Sequence, residues 1–285
     1  MKPLVLTSPE EVRSCVAQLA TSGKRLALVP TMGFLHAGHV SLMREGLRRA
    51  DAVAVSIFVN PTQFGPKEDL STYPRDFEGD VRQCESAGVS VIYAPQPNAV
   101  YQEGFQTWVT VDALSQGLCG ARRPGHFRGV ATVVAKLLAL FRPAVALFGE
   151  KDYQQLQVIK RLNRDLELGA EIVGLPTVRE ADGLAMSSRN AYLSKEDRAR
   201  ALALSQGLFE AQKQVEAGER DPKMLMASMS AALARANLRE DYVAVRHAET
   251  LEVLEHLEAG VPARALIAAF AGSTRLIDNL GLLVR

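Results

Sequence analysis

The chain has 285 residues, 47% of them hydrophobic and 23% charged, with a formal net charge of +1. That is the balance of a globular protein long enough for a sizeable core and about two domains. The near-zero charge argues against nucleic acid or a membrane surface as a general partner, and no apolar run approaches the length of a membrane span.

Cys15, Cys84 and Cys119 are odd in number and widely spaced. They read as reduced thiols of a cytoplasmic protein, not as a disulfide frame or a zinc site. The stretch from Met1 to Glu10 lacks the apolar region of a signal peptide. Internal repeats and low-complexity segments are absent from the sequence.

Ser8-Pro9-Glu10-Glu11 predicts a helix start, with Ser8 as cap, Pro9 in the first turn and Glu11 closing a capping box. That helix should run to about Ala20, before Gly23. Leu26 to Pro30 reads as a strand, and the helix-like segment Val40 to Ala50 follows a turn that carries His36 and His39. Ala52 to Val59 reads as a second, buried parallel strand, ending in Asn60-Pro61-Thr62-Gln63-Phe64-Gly65-Pro66. A polar loop, Lys67 to Tyr73, precedes a helix from about Pro74 to Ala87. Val89 to Ala94 is expected as a strand, 95–106 as loop and Thr107 to Val111 as a short strand. Helical spacing over Val130 to Phe141 leads to a strand at Ala144 to Phe148, a helix at Tyr153 to Leu166 and a strand at Glu171 to Gly174.

Alternating strands and helices predict an α/β fold, a doubly wound, Rossmann-like parallel sheet over residues 1–175. From 176 to 285 the pattern changes. A helix from Lys195 to Ala217 behind Ser194 and a helix from Pro222 to Ala236 precede strands at Tyr242 to Arg246, Ala265 to Phe270 and Arg275 to Leu283. This predicts a smaller C-terminal α+β domain, with the boundary near Leu175.

In doubly wound sheets ligands bind beyond the carboxyl ends of the strands. Three polar turns fall there, at 31–39, 60–65 and 149–152. Gly33 and Gly38 permit close backbone approach, and the helix after them offers free N–H groups to an anion. His36 and His39 add donors. Zinc would need three or four ligands, and no Cys or carboxylate cluster accompanies the pair. Lys151 suits a phosphate oxygen. Asp152 either caps a helix or binds a ribose hydroxyl. Gln155 lies one helical turn after Lys151, so both can face one cleft.

Asn60 and Gln63 suit a hydroxyl or carboxylate of a small substrate. Ser187, Ser188 and Arg189 suit a phosphate clamp, or form a surface loop, the reading their residues favour without the histidine turn. Arg122, Arg123, His126 and Arg128 could bind a carboxylate or phosphate, or form a subunit contact. Asp76, Glu78 and Asp80 open a helix, where the dipole favours acids over a Mg²⁺ role. No nucleophile elbow, P-loop or dinucleotide fingerprint occurs. The residues therefore predict transfer chemistry at a nucleotide phosphate, driven by positioning and electrostatics.

Five motifs, in order, resemble the pantothenate synthetase (pantoate–β-alanine ligase) family: Pro30-Thr-Met-Gly-Phe-Leu-His-Ala-Gly-His39, Phe58-Val-Asn-Pro-Thr-Gln-Phe-Gly65, Arg123-Pro-Gly-His-Phe-Arg-Gly-Val130, Phe148-Gly-Glu-Lys-Asp-Tyr-Gln-Gln155 and Met186-Ser-Ser-Arg-Asn-Ala-Tyr-Leu193. The resemblance covers essentially the whole chain. It implies condensation of pantoate with β-alanine, ATP giving AMP and diphosphate through pantoyl adenylate, in the biosynthesis of pantothenate and coenzyme A. It implies catalytic roles for His36, His39, Lys151 and Arg189, with His36 as proton donor.

By the same resemblance, ATP meets Met32, Gly33, His36, Gly38, His39, Gly149, Glu150, Lys151, Asp152, Val178, Met186, Ser187, Ser188 and Arg189. Pantoate meets Gln63 and Gln155 with Asn60 nearby, and Gln63 borders β-alanine. The resemblance brings Mg²⁺ with ATP, without a protein ligand assigned, and no organic prosthetic group. It also brings a cytoplasmic homodimer, a mobile gate at about Pro61 to Tyr73, and a C-terminal domain that contributes the Met186–Arg189 loop and closes over the site. Its rivals are a His-x-Gly-His nucleotidyltransferase that stops at a nucleotidyl product, and a nucleotide-binding sensor without turnover.

Overall fold

The computed structural model describes residues 2–66 and 68–284. Lys67, where the polar loop is expected to start, lies outside the described residues. These residues form two compact units, Met1–Glu150 with Gln155–Pro176, and Lys151–Gln154 with Thr177–Arg285.

The first unit is an α/β layer structure. Its strands are β1 (Leu4–Leu6), β2 (Leu26–Thr31), β3 (Ala52–Ile57), β4 (Val91–Tyr93), β5 (Val145–Gly149) and β6 (Glu171–Leu175), all parallel, in spatial order β1-β4-β3-β2-β5-β6. The helices are α1 (Pro9–Thr21), α2 (Ala37–Arg49), α3 (Phe77–Ser86), the short α4 (Pro97–Val100) and α5 (Leu118–Arg122), α6 (His126–Phe141) and α7 (Tyr153–Asp165). Ala27, Val29, Val53, Val55, Ile92, Val145 and Leu147 from the strands pack with Leu42 and Met43 of α2. The intervening Leu28, Ala54 and Ala146 on the opposite face are buried as well, and burial on both faces is why these strands read as continuous apolar runs. The chain winds outward from β2 to β3 and β4, then returns to β5 on the other side of β2. The crevice at this reversal, beyond the carboxyl ends of β2 and β5, is where an open α/β sheet binds its ligand.

The cap at α1 forms as the sequence predicts. Ser8 accepts from the Glu11 N–H, and Glu11 accepts from the Ser8 N–H at 3.0 Å. One expected strand fails. The segment Thr107–Val111 is not a strand: the Val109 N–H donates to Thr132 Oγ1 on α6 at 3.0 Å, not to a neighbouring strand. The sheet edge beside β4 is taken by β1, three residues too short to show a period in the sequence. Several helices also start off the expected position, α2 at Ala37, α6 at His126 and α3 at Phe77. For α2 and α6 the apolar spacing marks a buried stripe and not the turn that precedes it, whereas α3 starts later because Asp76 is its cap.

The second unit is α+β. Helices α8 (Lys195–Glu216) and α9 (Pro222–Arg235) cover an antiparallel sheet, β7 (Arg239–His247), β8 (Ala263–Ala271) and β9 (Thr274–Leu282), in order β7-β8-β9. Ala201, Leu204, Leu208, Ala211 and Val215 make one stripe of α8, at alternate spacings of three and four. They pack with Leu225, Met229 and Leu233 of α9 and the alternating Ala265, Ile267 and Ala269 of β8.

Candidate active site

The turn after β2 is held from three sides. Thr31 Oγ1 donates to the Ser56 carbonyl at 2.7 Å and accepts from the Gly33 N–H at 3.2 Å. Gly33 has φ +80°, and a Cβ there would lie 2.8 Å from an Asp80 carboxylate oxygen. The position is therefore closed to other residues both sterically and conformationally. Phe34 also sits in the left-handed region, at φ +49°. Its N–H donates to Asp80 Oδ2 at 2.9 Å, and the Leu35 N–H donates to Asp80 Oδ1 at 2.7 Å. Gln83, one turn further along α3, donates to the Leu35 carbonyl at 2.7 Å.

This corrects the reading of the α3 acids. Asp76 is the cap, accepting from the Gly79 N–H. Asp80 is buried and serves a turn 46 residues earlier in the chain. Burial pushes its carboxyl above the usual range, against the two backbone donors that stabilise the carboxylate.

The two histidines cap α2 reciprocally. His36 is the N-cap, and its Nδ1 accepts from the Gly38 N–H at 3.1 Å; His39 Nδ1 accepts from the His36 N–H at 3.2 Å. A ring nitrogen that accepts an N–H carries no proton, so both neutral rings hold their proton on Nε2. The rings lie 4.1 Å apart, centre to centre. The arrangement is a helix N-terminus with its positive dipole end and two imidazole Nε2–H donors, a donor set for oxyanions. Met32 and Gly38 belong to the same turn.

After β3, a 3₁₀ turn over Pro61–Gln63 is capped by Asn60. Asn60 and Gln63 are both buried. Asn60 Nδ2 donates to Gln63 Oε1 at 3.2 Å and to the Gly129 carbonyl at 3.1 Å, while Asn60 Oδ1 accepts from the Tyr101 hydroxyl at 2.9 Å. Gln63 Nε2 lies 3.0 Å from Met32 Sδ. The substrate-type amides and the histidine turn are thus adjoining parts of one surface in the first unit.

Of the basic cluster, Arg123 is taken up by a bidentate ion pair with Glu68, 2.6 and 2.7 Å, and Arg128 lies over the Trp108 ring at 4.9 Å. The expectation of an open anion site does not hold for Arg123.

Gly149 ends β5 and Glu150 follows in a 3₁₀ turn, Glu150–Asp152. Lys151 therefore lies in the 3₁₀ turn directly before α7, and Gln155 in the first turn of α7. The Lys151–Gln154 turn groups with the second unit, where Asn279 Nδ2 donates to the Lys151 carbonyl at 2.8 Å and Arg264 lies 4.0 Å over the Tyr153 ring. Burial lowers the Lys151 ammonium below its ordinary value; Asp152 and Asp278 oppose this and Arg189 adds to it. Asp152 is exposed.

In the second unit, Val178 and Met186 are joined by the Met186 N–H to Val178 carbonyl bond, 3.0 Å, at the foot of a narrow loop closed by the Arg179–Ala185 bridge. Ser187 caps a 3₁₀ turn over Ser188–Tyr192 by accepting from the Arg189 N–H, and Ser188 is buried. The loop is braced by Arg179, bidentate to the buried Asp278 at 2.6 and 3.0 Å, and by Asn190, which donates to Glu180 and to the Ala185 carbonyl. The sequence points to neither Arg179 nor Asp278, and it gives Asp80 only a place in the first turn of α3. Arg179 and Asp278 lie in no local pattern that distinguishes them from other polar residues, and the partners of Asp80 are remote in the chain.

A family model described as pantoate-beta-alanine ligase matches residues 4–281. The chain belongs to the pantoate–β-alanine ligase family. It is similar to the pantothenate synthetase of Myxococcus xanthus, 66% identical over 283 residues that cover 99% of this chain and 97% of the relative. The pantothenate synthetase of Anaeromyxobacter dehalogenans is 56% identical, with 97% and 98% covered. Among solved structures, pantothenate synthetase from Thermus thermophilus superposes with a TM-score of 0.92 at 44% identity, covering 97% and 98%. Pantoate-beta-alanine ligase from Francisella tularensis, complexed with β-γ ATP and β-alanine, gives 0.80 at 31%, covering 98% and 97%. This chain is accordingly an ATP-dependent ligase of pantothenate biosynthesis, and its parallel sheet with a small antiparallel sheet is the family's fold.

Proposed function

We propose that this ligase joins pantoate to β-alanine in two steps, and that the residues described above carry them. The carboxylate of pantoate attacks the α-phosphorus of ATP, and diphosphate leaves. The β-alanine amine then attacks the acyl carbon of pantoyl adenylate, and AMP leaves. The observation that carries this reading is the reciprocal histidine cap. By fixing both Nδ1 atoms as acceptors it orients two Nε2–H donors at a helix N-terminus, where a transferring phosphate gathers charge.

His36 and His39 hold phosphate oxygens, and His36 supplies the proton. Met32, Gly33 and Gly38 shape the turn around ATP. Gly149, Glu150 and Asp152 receive the nucleotide, Asp152 at the ribose, and Val178 lies against adenine. Lys151, Met186, Ser187, Ser188 and Arg189 make up the remaining ATP contacts, the cations and hydroxyls at phosphate. Gln63 and Gln155 hold pantoate beside Asn60. No side chain needs to act as nucleophile, because the adenylate itself splits the reaction into two tractable displacements.

Among the described residues no group of three or more His, Cys, Asp or Glu is placed to hold a metal ion. Asp80, the buried acid nearest the phosphate turn, is committed to two N–H donors. Mg²⁺ accompanies the ATP phosphates, as the family resemblance implies, with no protein ligand assigned. The family resemblance supports a cytoplasmic homodimer. No helix among the described residues is long and apolar enough to cross a membrane.

The test is pantoate-dependent exchange of diphosphate into ATP, with Mg²⁺ and without β-alanine. Exchange that requires pantoate is expected. Its absence, in folded protein that binds ATP, would refute the adenylate route. In single turnover His36→Ala should slow adenylation by about 10²–10⁴-fold, the range for a positioned acid; a rate within a few-fold of the parent would remove that role.

A further inference from the structure

The turn that carries Gln63 is tied at its backbone as well as at its side chain, and the tie runs to a charge. His126, the first residue of α6, is buried, and its Nδ1 lies 2.9 Å from the Gln63 carbonyl oxygen. A carbonyl only accepts, so Nδ1 carries the proton and donates it. Nε2 of the same ring is then an acceptor, and Arg123 Nη1 stands 3.0 Å from it. Arg123 Nη2 donates to the Gln63 carbonyl as well, at 3.3 Å. The other edge of the guanidinium meets Glu68 in the bidentate pair, and Glu68 accepts in addition from the Gly65 N–H at 3.2 Å.

The electrostatics agree with one orientation of this chain. Burial works to raise the Glu68 carboxyl, yet the Arg123 hydrogen bonds and charge hold it below the usual range. For Arg123 burial works downward, and Glu68 together with Cys119 outweighs it. The pair is fully charged, so the guanidinium keeps its donors aimed at His126 and at the carbonyl. The imidazole proton is thereby directed to Nδ1, the opposite tautomer from His36 and His39.

Packing leaves the turn no alternative seat. A Cβ at Gly129, one turn along α6, would come within 2.6 Å of the Thr62 carbonyl oxygen and 2.8 Å of the Gln63 nitrogen. The helix therefore touches the backbone of the turn directly, and His126 fixes its height and rotation.

We propose that His126 is a positioning residue for Gln63. It is held in the required tautomer by the Glu68–Arg123 pair, and it acts on pantoate affinity without touching pantoate. The proposal rests on the reading that Gln63 holds pantoate. It assigns the Arg123–Val130 motif a role within the first unit, as the anchor of the pantoate turn.

The experiment measures KM for pantoate and for ATP in the diphosphate exchange assay with the full chain, for His126→Ala, His126→Asn, Arg123→Lys and Gln63→Ala. His126→Ala should raise the pantoate KM about tenfold or more and leave the ATP KM within about twofold. His126→Asn keeps an N–H donor near the Nδ1 position, and should return the pantoate KM to within about threefold of the parent. Arg123→Lys, which retains the charge but loses the fork, should give an intermediate rise.

If His126→Ala moves both KM values together or neither, or if His126→Asn is as impaired as His126→Ala, the positioning role is overturned. Should His126→Ala not fold, Arg123→Lys and His126→Asn decide on the same split. Gln63→Ala separates the two readings: an unchanged pantoate KM there refutes the pantoate role of Gln63 itself, whereas a raised value beside a normal His126→Ala refutes only the positioning.

Discussion

Replacing Asp80 by Asn changes one atom group and tests what holds the phosphate turn. The parent carboxylate accepts at both oxygens, 2.9 Å from the Phe34 nitrogen and 2.7 Å from the Leu35 nitrogen. Asparagine can accept at one position only, so its amide would face a backbone donor at the other. A hydrogen bond to a charged group contributes about 1.5–3 kcal/mol. Removing the buried charge returns part of that, since burial already pushes the Asp80 carboxyl upward. The net loss of stability should be about 1–2 kcal/mol.

The larger effect is local. Phe34 is held in the left-handed region at φ +49°, a conformation costing roughly 1–2 kcal/mol for such a residue, and one of the two Asp80 bonds that hold the turn is gone. Letting the turn relax moves His36, two residues on, out of register. A tenfold fall in exchange rate corresponds to about 1.4 kcal/mol, so a fall of about 10–100-fold is expected. Urea unfolding gives the stability and pantoate-dependent exchange gives the rate. An Asp80→Asn variant that loses stability yet exchanges within twofold of the parent would refute the link from Asp80 through the turn to the histidines.

Three further expectations can be checked alongside. Gly33→Ala places a Cβ 2.8 Å from Asp80 Oδ2 at φ +80°. It should lose about 2 kcal/mol or more by urea unfolding, above the left-handed cost alone; a loss under 1 kcal/mol would show that the turn gives way. Lys151 has its ammonium lowered by burial, so raising the pH discharges it before an ordinary lysine at about 10.4. The exchange rate should therefore decline on the alkaline side below that pH, and Lys151→Arg should carry the plateau upward; an unmoved limb would assign the titration to another group. Burial pushes the Cys84 thiol up to about 12. At pH 8 roughly one molecule in ten thousand carries that thiolate. A disulfide reagent should then label native protein at half-buried Cys15 and spare Cys84 until the chain unfolds.

Much of this molecule is legible within short windows of its chain. The Ser8–Glu11 capping box, the apolar runs of β2, β3 and β5 and the three- and four-residue spacing of α8 are local consequences of propensity and period. The two-part α/β and α+β pattern follows from their order. The motif turns stand out because glycine, histidine and asparagine cluster where strands end, and the family resemblance rests on those same letters.

What the tertiary structure alone decided are the partners. Asp80 stands 46 residues from the turn it braces, Arg123 stands 55 from Glu68, and Asn279 stands 128 from the Lys151 carbonyl. Leu4–Leu6 becomes a strand only because β4 presents an edge to it. Thr107–Val111 is not a strand, and its Val109 N–H donates to Thr132 on α6. A residue's type limits which bonds it can make. Which bond it does make depends on what the fold brings within about 3 Å of it, and no spacing along the chain encodes that distance.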